Sequence, residues 1–122
     1  RETAEALRKK TGCIISLCDF SDHDRLRSEL SQSRILTNAT SLGMAPSEDA
    51  CPIPDAAFLP DGLIVSDIIY NPKETRLLSM ARAKGLPAFN GSYMLLYQGA
   101  EAFRLWTGKE MPVALIKNMF FS

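Results

Sequence analysis

Short apolar bursts alternate along this chain with stretches of helical spacing. Residues 1–10 set Ala4 and Leu7 on one side of a helix, with Thr11 following, and Gly12 is a helix-terminating glycine. Cys13-Ile14-Ile15-Ser16-Leu17-Cys18 is nearly continuous in apolar residues, the pattern of a strand buried on both faces. Residues 19–22 carry turn and cap chemistry, and the helix that follows to about Ser31 places Leu26 and Leu30 four apart on one face. A second burst at residues 34–38 predicts a strand running into the small and polar residues 39–44. Four prolines, Pro46, Pro52, Pro54 and Pro60, make residues 45–60 a long loop with a short helical turn. Residues 63–70 give the strongest strand signal, which Asn71-Pro72 stops, and residues 74–84 are helical up to Gly85. A short last strand at residues 87–90 breaks at Gly91. An amphipathic helix then runs over about 92–106, closed by Thr107-Gly108, and Pro112 sits near the first turn of a final helix.

Strands alternating with helices predict an α/β fold with a mainly parallel sheet flanked by helices and with further helices at the C-terminus. In open sheets of this kind ligands bind beyond the carboxyl ends of the strands. Those ends are residues 38–41, 68–71 and 90–92, three successive exits able to face one cleft. The glycine-rich G-x-G-x-x-G turn that would follow a strand in a complete dinucleotide-binding domain is not in the sequence. Local chemistry alone therefore indicates an incomplete or unusual nucleotide-type domain.

Composition narrows the function classes. The chain has 122 residues, 46% of them hydrophobic, enough for one domain with a real core. Fourteen basic and 14 acidic residues balance to a formal charge of +0, so there is no global field to gather nucleic acid or an anionic membrane. The cluster Arg1, Arg8, Lys9 and Lys10 reads as the solvated face of a helix. No run approaches the ~18 apolar residues of a transmembrane helix, and the cytoplasm is the default expectation. Cys13, Cys18 and Cys51 are odd in number and irregular in spacing, which argues for reduced thiols, buried at Cys13 and Cys18. One histidine, His23, is too few for a metal site and reads as an exposed helix-start residue, so no metal is expected.

The strand exits hold the candidate chemistry. Residues 38–44 offer hydroxyls and backbone amides, with a capped turn as the alternative reading. Tyr70 and Asn71 offer a phenol and an amide, although a tyrosine at a strand end can simply pack. Gly91 permits close backbone approach to a ligand or unusual dihedrals, with turn geometry alone as the alternative reading. Gln98 lies two helical turns beyond Gly91; facing inward it would need a partner such as a polyhydroxylated ligand, and facing outward it is a helix-surface glutamine. Leu95, Leu96, Phe103, Leu105, Trp106, Met119, Phe120 and Phe121 are expected to pack and not to hold a cofactor.

One stretch is far more specific. Asn90-Gly91-Ser92-Tyr93-Met94-Leu95-Leu96-Tyr97-Gln98-Gly99-Ala100-Glu101-Ala102-Phe103-Arg104-Leu105-Trp106-Thr107-Gly108 resembles the C-terminal signature of the shikimate dehydrogenase family, including its quinate/shikimate branch. Asn38-Ala39-Thr40-Ser41-Leu42-Gly43-Met44 resembles the loop after the fourth strand of that family's cofactor domain. Asp67-Ile68-Ile69-Tyr70-Asn71-Pro72, with Glu74-Thr75 and Leu77-Leu78, resembles the next strand and helix. The resemblance spans essentially the whole chain. It implies an incomplete Rossmann-like NAD(P)-binding domain over residues 1–122 and reversible hydride transfer between NAD or NADP and shikimate or quinate. By resemblance Gln98 and Tyr70 would contact the substrate. Ile68, Ile69 and Asn71 would form the nicotinamide wall, Gly91 would lie near its carboxamide, and Ser41 would sit on a cofactor-side loop.

The family's catalytic lysine and aspartate, its substrate domain and its glycine-rich loop all lie N-terminal to the residues matched here. The opening residues, Arg1-Glu2-Thr3-Ala4, also read as the middle of a helix, so a piece of a longer protein is expected, inactive by itself. In strand order 3-2-1-4-5-6, these strands would be the third to the sixth, leaving the strand at residues 13–18 without its neighbours. Pairing elsewhere in the sheet, or exchange with another chain into a homo-oligomer, is the expectation for it. Two other readings stand beside this one: a non-catalytic regulatory or binding module built on the same domain, and another nicotinamide-dependent enzyme. The upstream sequence discriminates the first; the combination of Tyr70-Asn71-Pro72 with Gln98 argues against the second.

Overall fold

The computed structural model describes residues 2–121; Arg1, expected at the start of the first helix, lies outside them. In chain order the elements are α1 (Glu2–Thr11), α2 (His23–Ser31), β1 (Ile35–Asn38), β2 (Ile64–Asp67), α3 (Arg76–Ala83), β3 (Ala88–Phe89), α4 (Ser92–Thr107) and α5 (Val113–Phe120). A 3-10 turn at Ala56–Phe58 interrupts the proline-rich loop, as its composition suggested. The sheet is parallel with order β1-β2-β3, the arrangement of the last three strands of a Rossmann-like sheet.

Local sequence explains the boundaries. Asp22 caps α2 by accepting from the Arg25 amide at 3.1 Å, and Thr75 caps α3 through the Leu78 amide at 3.4 Å. Gly12, Gly85 and Gly108 follow α1, α3 and α4 with φ of 71°, 73° and 68°, the left-handed conformation that glycine adopts most easily. His23 opens α2 as expected, and its ring meets Phe58 edge-on at 5.5 Å while Arg27 lies 4.1 Å over the same ring. That contact docks α2 on the 3-10 turn.

The core gathers Leu26 and Leu30 of α2, Val65 of β2, Leu77, Leu78 and Ala81 of α3, and Ile53, Phe58 and Leu59 from the long loop. Along β2 burial alternates, so Val65 and Asp67 share the core face. The sheet is thus anchored at β2 and presents its carboxyl ends together: Asn38 stands opposite Asp67 on the last rung of the β1–β2 ladder.

Two expectations are corrected. Residues 13–18 form no strand and pair with none of the three strands; Ile14 is fully exposed at 102%. Apolar composition favours burial, but a strand needs a ladder partner, and here the segment is held by side-chain hydrogen bonds instead. The Arg8 guanidinium donates to the Ile15 carbonyl, and Ser16 Oγ donates to Glu29 Oε1 at 2.6 Å. Cys13 is accordingly exposed and Cys18 half-buried, not enclosed; Cys13, Cys18 and Cys51 are all free thiols. The second correction concerns the aromatic-rich tail. Leu96 is buried, but Leu105, Trp106, Met119 and Phe120 are 72%, 84%, 61% and 63% exposed, because no described element covers that side of α4 and α5. No helix among the described residues is long and apolar enough to cross a membrane.

Candidate functional site

The loops leaving β1 and β2 meet in a cleft of about 580 Å³. Ser41 from the first loop and Ile68, Ile69, Tyr70 and Asn71 from the second all line it, so five of the seven sequence candidates are brought together. Met44 and Met94, which sequence reasoning passed over, complete the apolar lining. Ile68 is 37% and Tyr70 48% exposed, whereas Ile69 is buried at 4% and backs the wall from behind. A second cavity of about 420 Å³ adjoins the first, sharing Ile68 and Met94, and is lined by Asn90 and Gly91 at the third strand exit.

The first loop owes its shape to Asn38. Its Oδ1 accepts from the Thr40 amide at 3.1 Å and the Thr40 hydroxyl at 2.7 Å, and its Nδ2 donates to the Leu42 carbonyl at 3.1 Å. Asn38 and Thr40 therefore serve the turn, which is the capped-turn alternative, and Ser41 is the hydroxyl left for a ligand. The second loop owes its shape to Asp67, which is buried and accepts from the Ile69 amide at 3.0 Å and from Thr75 Oγ1 at 2.8 Å. The Asn71–Pro72 peptide at its end is cis.

Gly91 has φ of −75°, so unusual dihedrals are not its reason for being glycine. A Cβ there would stand 1.9 Å from the Ile68 carbonyl oxygen and 2.5 Å from its carbon. The close approach expected toward a ligand is here to the chain's own backbone, and the Gly91 amide donates to the Ile69 carbonyl at 3.0 Å. Glycine at this exit holds the Ile68 wall against the start of α4.

Gln98 lies in neither cavity and is exposed. It is four residues beyond Met94 on α4, one turn along the same helix face. The residues that line the larger cavity include no carboxylate, imidazole or ammonium group. What the arrangement can do is position a ligand: an apolar wall, hydroxyls at Ser41 and Tyr70 and an amide at Asn71. A flat carboxamide-bearing ring fits that donor set; a pyrophosphate, which needs cations or a helix N-terminus, does not. Among the described residues no group of three or more His, Cys, Asp or Glu is placed to hold a metal ion.

A family model described as "Shikimate 5'-dehydrogenase C-terminal domain" matches residues 91–118. The chain is 48% identical over 120 residues to the NADP(+) shikimate dehydrogenase of Listeria monocytogenes serotype 4b (strain F2365), covering 98% of this chain and 41% of that protein. The crystal structure of shikimate 5-dehydrogenase from Listeria monocytogenes in complex with shikimate and NAD superposes with a TM-score of 0.88 at 48% identity, covering 98% of this chain and 42% of that one. Quinate dehydrogenase from Corynebacterium glutamicum in complex with NAD gives a TM-score of 0.78 at 29% identity, over 98% of this chain and 41% of that one. The chain thus spans about two fifths of the length of the relatives it matches.

Proposed function

The chain belongs to the shikimate dehydrogenase family, and from that premise we propose that it forms the cofactor- and substrate-facing walls of an NAD(P)-dependent shikimate or quinate/shikimate dehydrogenase. One observation carries the reading: two adjacent strand exits converge on a single cleft with an apolar wall at Ile68 and hydrogen-bonding groups at Ser41, Tyr70 and Asn71. When bound, the nicotinamide cofactor supplies hydride exchange with the substrate's alcohol or ketone. The protein's own residues hold the reacting groups in place. Ile68, backed by buried Ile69 and braced by Gly91, is the flat surface for the nicotinamide; Asn71 completes that wall, and Ser41 serves the cofactor side. Tyr70 offers its phenol to the substrate's carboxylate end, and Gln98 offers an amide to its hydroxyls.

Apart from the Tyr70 phenol, assigned here to the substrate's carboxylate end, the larger cleft is lined by no acid or base to move the transferred proton, so that step is assigned to residues outside this cleft. In the family's pattern these are a lysine and an aspartate of the substrate domain, so the 122-residue chain alone is inactive in this reading. The open apolar side of α4 and α5 supports further protein packing there in the complete enzyme. Among the described residues β1 pairs only with β2; in strand order 3-2-1-4-5-6 its other edge receives the first strand of the complete domain, so pairing through that edge into a homo-oligomer belongs to the 122-residue chain alone. Free thiols throughout suit the reducing cytoplasm.

The test is steady-state kinetics of the full-length gene product with Gln98→Ala. Loss of one substrate hydrogen bond raises KM for shikimate roughly tenfold. An unchanged KM would remove Gln98 from the substrate site.

A further inference from the structure

Asp67 sits at the carboxyl end of β2 with 1% of its surface exposed, and it belongs to none of the ion pairs among the described residues. A carboxylate withdrawn from water this far needs donors, and three converge on it. Oδ1 accepts from the Ile69 amide at 3.0 Å and from Asn38 Nδ2 at 3.2 Å, and Oδ2 accepts from Thr75 Oγ1 at 2.8 Å. The Ile69 bond folds the loop that carries Ile68, Tyr70 and Asn71. The Thr75 bond ties that loop to the cap of α3. The Asn38 bond crosses to the other strand, where the same Asn38 amide folds the loop that carries Ser41.

We propose that Asp67 is a positioning residue: its carboxylate fixes the spacing of the two loops, and so of the cofactor wall at Ile68 relative to Ser41 across the cleft. The effect on turnover rests on the dehydrogenase reading; the coupling of the two loops does not. A carboxylate suits the position better than an amide because both oxygens accept. An asparagine of the same shape would keep one acceptor, and its amino group would face either Thr75 Oγ1 or the donors from Asn38 and Ile69. Thr75 would then have to reverse its hydrogen bond, or Asn38 and Ile69 would lose theirs.

The test uses the full-length gene product with Asp67→Asn, Thr75→Val and Thr75→Ser, read by amide hydrogen exchange and by kcat and KM for shikimate with NADP+. In Asp67→Asn, exchange is expected to rise at Ile69 and also at Thr40 and Leu42, whose amides are bonded to Asn38 and Thr40 and not to residue 67. Val65, whose amide is bonded to the Pro87 carbonyl at 2.9 Å, should stay protected and so reports global loosening. A shift of the wall by about 1 Å lowers kcat on the order of 100-fold. Thr75→Val should follow Asp67→Asn in direction, and Thr75→Ser, which keeps the hydroxyl, should restore wild-type behaviour. Faster exchange confined to Ile69 with kcat unchanged would overturn the proposal, and so would an equal rise at Val65. If Asp67→Asn does not fold, the Thr75 pair decides by the same criteria. A wild-type protein that oxidises no shikimate would sink the dehydrogenase reading, leaving the exchange pattern to judge the coupling of the loops.

Discussion

Replacing Gly91 by alanine adds a single methyl group where β3 turns into α4. The backbone there is open to any residue, with φ of −75°, so the perturbation is steric. The new Cβ would lie 1.9 Å from the Ile68 carbonyl oxygen, and contacts below 3.0 Å essentially never occur. The obstacle is backbone on a packed strand end, so one of the two segments must retreat by roughly 1 Å. Overpacking of this kind costs about 1–3 kcal/mol, and the Gly91 amide bond to the Ile69 carbonyl is stretched in the same movement. With Ile68 as the proposed nicotinamide wall, a displacement of about 1 Å is expected to lower kcat/KM on the order of 100-fold. Denaturant unfolding and steady-state kinetics of the full-length variant measure the two effects. Gly99→Ala is the matched control: a Cβ there meets nothing within 4 Å, within helix α4. It is expected to gain about 0.4–1 kcal/mol with kinetics unchanged. A Gly91→Ala enzyme as stable and as active as wild type would refute the claim that Gly91 positions Ile68.

Other outcomes follow from burial and charge. Leu78 is fully enclosed at 0% exposure, and Leu78→Ala should lower stability by about 2–5 kcal/mol in a urea melt. Burial raises the Cys51 thiol above its ordinary value of 9.0, so at pH 8 iodoacetamide should label exposed Cys13 well before Cys51, as read by peptide mass. The same shift has a defined sign for stability. The folded state holds the Cys51 proton more tightly than the unfolded state, so its contribution is intact below the ordinary thiol value and declines as pH rises beyond it. A melting temperature that rises through that alkaline range in wild type but not in Cys51→Ala would contradict the assignment.

Much of this site is written locally. The observed strand β2 stops at Asp67, four residues short of Asn71-Pro72, yet the strand-exit rule still places Ser41, Ile68, Ile69, Tyr70 and Asn71 in one cleft without knowledge of the pairing. Gly91 also signals a close approach, but its partner, the Ile68 backbone, is distant in sequence and only the fold reveals it. Asp67 was legible and passed over. A lone acid inside the apolar run of residues 63–70 has to be buried with partners, and Thr75 just ahead of a helix is one of them. Residues 13–18 show the opposite failure: apolar content indicates a wish for burial, whereas a strand requires neighbours that no local pattern encodes. The exposed side of α4 and α5 follows the same logic, since helical periodicity identifies an apolar face but not what covers it.

The central claim, that these residues form the ligand-positioning half of a dehydrogenase cleft, is tested most directly by one comparison. The full-length gene product and the 122-residue chain are each assayed for reduction of NAD+ and NADP+ with shikimate and with quinate. The account predicts turnover by the full-length protein and none by the chain alone. Turnover by the 122-residue chain, or none by the full-length protein with either substrate and either cofactor, would contradict it.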